Sequence, residues 1–173
     1  MTIHSKMNSE LNIRPVHSDD DFTAIHSIVS RAYAYWLDRK ILFTACHQGQ
    51  DRTRARLLEG HGFVAEINDQ IVGVISLNPP QPDDDCIYYR KIGVWHFNQF
   101  AVDPNCQGNG VGTALLSHCE QFAMAHGATE IALDTAQPAI ELIEYYQRLG
   151  YSIVDTINWS RTNYESYILS KPL

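Results

Sequence analysis

The segment Phe97-Asn98-Gln99-Phe100-Ala101-Val102-Asp103-Pro104-Asn105-Cys106-Gln107-Gly108-Asn109-Gly110-Val111-Gly112 constrains this chain more than any other. An apolar run ends at Asp103-Pro104, a short polar loop follows, and three alternate glycines lead into a stripe of Val111, Ala114, Leu115, His118 and Phe122 at helical spacing. Glycine lets main-chain N–H groups approach a ligand closely, but it is a poor residue with which to start a helix for its own sake. A helix start carries unpaired N–H donors and the positive end of the helix dipole. Strand, glycine loop and helix start in this order make an anion site, most naturally for a phosphate or diphosphate. A glycine-rich connection with no ligand is the plainer alternative.

Two known phosphate loops fit less well. A P-loop ends in Gly-Lys-Ser/Thr, which is missing here. A dinucleotide fingerprint shares Gly108-x-Gly110, and Asp134 follows at about the ~20 residues expected for a ribose ligand. Its third glycine, however, falls on Thr113, and the loop before Gly108 is too long for the tight turn of that motif.

The rest of the chain supplies a scaffold. Leu11–Val16 reads as a strand. Ser18 reads as an N-cap with Asp19, Asp20 and Asp21 in the first turn of a helix that carries Phe22, Ile25, Ile28, Val29, Ala32, Tyr33 and Trp36. A shorter helix is expected over Gln50–Leu58; its Arg52, Arg54 and Arg56 read as an anion site or, since alternate residues do not share one face, rather as a solvated helix face. Phe63–Ile67, Asn68-Asp69 and Ile71–Leu77 read as a hairpin, and a Pro-rich loop through Asp83–Asp85 leads to a strand over Gly93–Val102. A helix over Gly110–Ala125 stops at Gly127, a strand follows at Glu130–Asp134, and Pro138 opens a helix that ends at Leu149 before Gly150. Strands near Tyr151–Asp155 and Tyr164–Leu169 close the chain. Hairpins first and strand–helix–strand afterwards predict an α+β fold on a mixed sheet. A single domain is expected over 10–173, behind a flexible tail of residues 1–9.

Composition narrows the function. With 13 Lys+Arg against 20 Asp+Glu the net charge is −7, with no basic arm, so nucleic acid is not an expected partner. No apolar run approaches the ~18–20 residues that span a bilayer, and MTIHSKMNSE has no apolar secretion signal, so neither membrane nor export is expected and a cytoplasmic location is. Cys46, Cys86, Cys106 and Cys119 lack metal or disulfide spacing and read as reduced thiols, with no metal site.

Gln107-x-x-Gly110-x-Gly112, preceded by Ala101-Val102-Asp103-Pro104, resembles the Gln/Arg-x-x-Gly-x-Gly/Ala signature of the GNAT N-acetyltransferases. Tyr146-Gln147-Arg148-Leu149-Gly150-Tyr151 is similar to that family's Tyr-x-x-x-Gly-aromatic element. The resemblance implies a GNAT acyl-CoA transferase fold, a twisted, mostly antiparallel sheet of about six or seven strands flanked by about four helices. It implies acetyl-CoA (coenzyme A) as cofactor. Its diphosphate would lie on the main-chain N–H groups of Gly108, Asn109, Gly110, Val111, Gly112 and Thr113, behind Gln107. Its pantetheine arm would pair with Phe100, Ala101 and Val102 as an added strand. Gln137 is the residue left to take the role of the Asn that often ends the preceding strand in the family, and Cys106 stands where relatives often have Arg or a bulky residue.

The chemistry implied is direct attack of a neutral primary amine on the thioester in a ternary complex. Free alkyl amines have pKa values near ~10 and need a base or water relay. The resemblance gives Val102 N–H as oxyanion donor and Tyr146 as the acid that protonates the leaving sulfur. Spacing alone also reads Tyr146 as core, with Leu142 and Leu149 at i−4 and i+3. His96, with Asn98 on the same face, matches a strand position where some relatives carry the base. Tyr33, Tyr35, Trp36 and Phe43, with Trp159, are candidate acceptor walls. The acidic balance favours a cationic acceptor such as a polyamine, aminoglycoside or lysine. A homodimer is compatible with the family. A non-catalytic acyl-CoA-binding module and a small nucleotide-dependent oxidoreductase are the competing readings.

Overall fold

In the computed structural model, which describes residues 10–173, β1 (Leu11–Pro15) forms one edge of the sheet and pairs antiparallel with β2 (His61–Ile67). The expected flexible tail, residues 1–9, lies outside the described residues. Pro15 has no N–H to give a ladder and is tolerated at an edge. Beside it the Arg14 guanidinium spans Asp20 at 2.8 Å and Glu66 at 2.7 Å, which holds the Asp20 carboxyl below its usual range. That contact divides the acidic run. Asp20 belongs to Arg14, and the cap of α1 (Phe22–Asp38) is Asp21 rather than Ser18, its carboxylate accepting from the Thr23 and Ala24 N–H groups at 3.0 Å.

A single unexpected turn, α2 (Thr44–His47), precedes α3 (Gln50–Glu59). β2 then turns into β3 (Gln70–Asn78) through Asn68 and Asp69, both at positive φ, the pairing of a tight hairpin turn. A turn of 3-10 helix at Ile87–Arg90 leads to β4 (Val94–Val102). α4 (Val111–Ala125) crosses to β5 (Glu130–Ala136). α5 (Ile140–Arg148) starts two residues after Pro138, because Gln137 N–H still bonds to Glu165 O and keeps the chain in the sheet's turn. β6 (Ser152–Asn158) and β7 (Glu165–Pro172) complete a seven-stranded sheet of order β1-β2-β3-β4-β5-β7-β6.

Only β4 and β5 run parallel among these strands. This order excludes the all-parallel sheet of a dinucleotide fold, on which the oxidoreductase reading of the glycine loop rested. The number of strands is as expected; the helices number five among the described residues, the extra one being α2. One core lies between the sheet and α4 with α5, including Phe63, Leu77, Phe97, Leu115, Ile131 and Leu133. A second lies under α1 and α3, including Ile25, Val29, Leu57, Val64 and Val74.

The sheet opens at its centre. β4 pairs with β5 only over Val94–His96 against Glu130–Ala132. Beyond that point β4 stays with β3 and β5 stays with β7, so the two diverge. β4 also carries a bulge: Val74 pairs with Ala101 but Ser76 pairs with Asn98, which leaves one extra residue in β4. Gln99 absorbs the kink at φ 49. Its amide is held by Gln48 and by the Thr53 carbonyl, which offsets the cost of a left-handed non-glycine residue.

Candidate active site

The opening between β4 and β5 has two connected clefts. The larger, of about 830 Å³, lies between α1, the end of β4, the glycine loop and α5. The smaller, of about 540 Å³, lies below the bulge, between α3, the Asp83–Asp85 loop, β5 and Trp159. Tyr33, Phe100, Leu142 and Tyr146 line both.

The larger cleft is built from main-chain geometry. Gly108 and Gly110 have φ of 78° and 83°, and a Cβ on either would meet nothing within 4 Å. Their requirement is therefore backbone conformation, not space. Gly112 is the reverse: a Cβ there would lie 3.2 Å from Phe100 Cζ and 3.5 Å from the Tyr145 hydroxyl. Gly110 is also the N-cap of α4 and offers no side chain, so the first-turn N–H groups keep no side-chain acceptor. Replacing Gly110 with Ala is expected to cost about 1 kcal/mol, because an L-residue is held at positive φ. Urea unfolding measures this, and an unchanged midpoint would mean that the loop relaxes to negative φ.

The end of β4 forms the other wall. Asp103 N–H bonds to Val72 O at 2.8 Å, so by strand alternation the Val102 N–H faces away from β3, into the opening. Gln107 Nε2 donates to Val102 O at 3.1 Å, and the Tyr33 hydroxyl donates to Phe100 O at 3.1 Å. Burial pushes the Tyr33 phenol up to about 12, so it remains a donor. Ala101, Gly108, Gly110, Gly112 and Thr113 complete this side of the cleft. Asn109 is exposed, Val111 packs its side chain into the core, and Gln137 lines neither cleft.

Tyr146 is fixed by a local motif. Gly150, at φ 94, follows the last turn of α5; Tyr151 N–H bonds to Tyr146 O and Gly150 N–H to Gln147 O, the two bonds of a Schellman motif. The Tyr-x-x-x-Gly-aromatic spacing is the register of that motif, and the Tyr146 and Tyr151 rings make its apolar contact at 5.8 Å. The ring packs with Phe97 and Tyr145 as well, so Tyr146 is a core residue whose position also reaches both clefts. Burial holds its phenol well above the usual value, and no hydrogen bond offsets this among the described residues.

The smaller cleft is polar. His96 is buried, stacked on Tyr89 at 4.0 Å, and its Nδ1 has no partner. Burial depresses its pKa to about 4, so the imidazole is neutral and the 3.9 Å approach to Asp84 is not an ion pair. Unfolded chain regains a pKa near ~6.5, so stability present above that pH is lost progressively as pH falls toward about 4. The loss amounts to about 3 kcal/mol at most. Urea midpoints between pH 7 and pH 5 are expected to fall less in His96→Phe than in the parent protein. Equal falls would mean that His96 is already charged in the fold.

Asp134 is held by the Tyr89 hydroxyl and Trp159 Nε1, both at 2.9 Å, while burial raises its pKa. Sequence reasoning weighed Asp134 only as a ribose ligand. Arg56 departs from the solvated face expected of it: it is partly buried, bonds to Gln48 Oε1 at 2.7 Å and lines the cleft, while Arg52 and Arg54 are exposed. The four-residue step from Arg52 to Arg56, both on the cleft side of α3, is the signal that could have found it. Of the candidate wall residues, Phe43 and Trp159 line the smaller cleft. Tyr35 and Trp36 instead line the larger cleft, where the Tyr35 hydroxyl donates to Glu141 at 2.7 Å and ties α1 to α5. Tyr145 lines that cleft too.

The profile of the acetyltransferase (GNAT) family matches residues 22–151 of this chain. S-(2-succino)cysteine N-acetyltransferase of Bacillus subtilis is 31% identical over 133 residues, 76% of this chain and 78% of that protein. Human N-acetyltransferase 8 is 27% identical over 132 residues, 75% of this chain and 54% of that protein. Among solved structures, the ribosomal-protein-S18-alanine N-acetyltransferase of Escherichia coli superposes with a TM-score of 0.70 at 18% identity, over 94% of each chain. A GNAT family acetyltransferase of Elizabethkingia anophelis, solved with acetyl-CoA bound, gives 0.68 at 16% identity over 94% of this chain and 98% of that one. At these identities the structural likenesses bear on the fold.

Proposed function

Because the chain belongs to the GNAT acetyltransferase family, we propose that it moves the acetyl group of acetyl-CoA to a primary amine by direct attack in a ternary complex. The observation that carries this reading is the meeting of the two clefts at Tyr146. One cleft has the uncapped helix start and left-handed glycines suited to a diphosphate; the other is a polar chamber suited to a small acceptor. No cysteine lines either cleft among the described residues, which favours direct transfer over a cysteine-bound acetyl group.

Acetyl-CoA supplies an activated acyl group as a thioester. The main-chain N–H groups from Gly108 to Thr113 would hold its diphosphate, and Phe100, Ala101 and Val102 its pantetheine arm. Gln107 steadies that wall through the Val102 carbonyl. The Val102 N–H, turned into the opening, would donate to the thioester oxygen as the C–N bond forms and the C–S bond breaks. Tyr146 would give its proton to the departing sulfur. Its raised pKa keeps it protonated, and therefore a donor, at neutral pH. His96, neutral and with Nδ1 unpartnered, is suited to accept a hydrogen bond from the amine or a water rather than to store its proton. The amine proton then leaves through water.

Calorimetry should register saturable uptake of acetyl-CoA, and a thiol reagent should detect CoA release with a primary amine. Absence of uptake overturns the proposal. Uptake without thiol release across polyamines, aminoglycosides, amino acids and N-terminal peptides would make the chain an acyl-CoA-binding module instead.

A further inference from the structure

The smaller cleft contains an unmatched cation beside unmatched acceptors. Arg56 gives one N–H to Gln48, and no carboxylate lies within ion-pair distance of it among the described residues. A guanidinium offers five N–H groups in a planar fork, shaped for a carboxylate. Burial also disfavours its charge, so an anion brought to it gains more than it would at the surface. The buried carboxylate of the same cleft, Asp134, is taken by Tyr89 and Trp159 and does not serve Arg56.

The acceptors lie close by. Ser76 is the cross-strand partner of Asn98, and its hydroxyl donates to the Arg56 main-chain oxygen at 2.7 Å. One serine thus holds the Arg56 residue of α3 next to Asn98 of β4. Asn98 Oδ1 and His96 Nδ1 are buried without partners, two residues apart on one face of β4. Each such atom costs free energy until a donor reaches it. The wall therefore asks for N–H donors and an anion in one cleft. Arg161, held over Trp159 at 4.1 Å, adds a second cation at the mouth.

We infer that the acceptor is an amine bearing a carboxylate close to its amino group, as in an α-amino acid, with the carboxylate on Arg56 and the amino N–H groups on Asn98 Oδ1. This rests on the acetyltransferase reading above. It also runs against the net charge of −7, which by itself favours a cationic acceptor. Glu59, Asp83, Asp84 and Asp85 also line this cleft, so the preference rests on direct contact and not on the net charge of the wall. The Arg56 fork is paired with none of these acids among the described residues, and a bidentate carboxylate would meet it directly.

The test compares amino acids with their primary amides, which keep the amine and lose the anion. In the parent protein kcat/KM by CoA release is expected to be roughly 10- to 100-fold higher for the acid than for its amide, the worth of a charge-assisted pair. In Arg56→Gln that ratio is expected to fall to about one; in Arg56→Lys, which keeps the charge and most of the packing but loses the fork, it should be intermediate. Binding of the same pairs, followed by calorimetry in the presence of CoA, reads the preference without turnover. Equal use and equal binding of acid and amide overturn the inference while leaving the acetyltransferase intact. A ratio that survives in Arg56→Gln overturns the assignment to Arg56. If acetyl-CoA is not taken up at all, the function above fails, and calorimetry without CoA still decides whether carboxylates are preferred.

Discussion

Replacing Tyr146 with Phe is expected to lower kcat for amine acetylation about 100-fold or more, with acetyl-CoA affinity within about twofold of the parent. Loss of a positioned acid in the transition state removes about two or more powers of ten. Phe keeps the ring contacts with Phe97, Tyr145 and Tyr151, and the Schellman bonds use only main-chain atoms. Fold and cleft should therefore survive, and melting temperature serves as the control. A Tyr146→Phe protein that turns over a good acceptor at the parent rate would remove the acid assignment and leave solvent to protonate the sulfur. Because the phenol is held above its usual pKa by burial, no fall in kcat from its ionisation is expected below about pH 10. A rise with pH, following deprotonation of the amine, is the limb expected instead.

Changing Gly112 to Leu is expected to weaken acetyl-CoA binding about 100-fold or more. The Cβ alone would press on Phe100 and approach the Tyr145 hydroxyl, and the added atoms project among residues that line the larger cleft. Gly112 also sits in the first turn of α4, where a side chain interferes with the approach of a phosphate to the N–H groups. Calorimetry reads the loss directly. Equal affinity in Gly112→Leu would mean that the diphosphate lies elsewhere. The milder Gly110→Ala separates the two roles: its Cβ meets nothing, so its effect is conformational alone.

Gly108, Gly110 and Tyr146 were legible because their requirements are local, whereas that of Gly112 is set by Phe100 and Tyr145 across the cleft. A left-handed φ at Gly108 and Gly110, an uncapped helix start, and the five-residue reach from Tyr146 O to Tyr151 N are each fixed within a few positions of the chain. The hairpin turn at Asn68-Asp69 was legible for the same reason. The acidic run before α1 was not: which Asp caps the helix depended on Arg14 claiming Asp20 and on Glu66, far along the chain. The helix stripe correctly predicted that Trp36 is buried but not which cleft it meets.

The sequence by itself determined where main-chain N–H groups would be exposed and which helix would bring a tyrosine to them, because backbone dihedrals and caps are set by neighbours in the chain. Only the tertiary structure decided what surrounds those groups. The bulge at Gln99 puts consecutive residues of β4 out of simple alternation, and it is held by Gln48 and Thr53, about fifty residues away. The inward turn of Arg56, the orphaned atoms of His96 and Asn98, and the Tyr89–Asp134–Trp159 contacts arise the same way. A cavity wall is a sum of long-range contacts, and its charge is that of the residues the fold gathers there rather than the average over the chain.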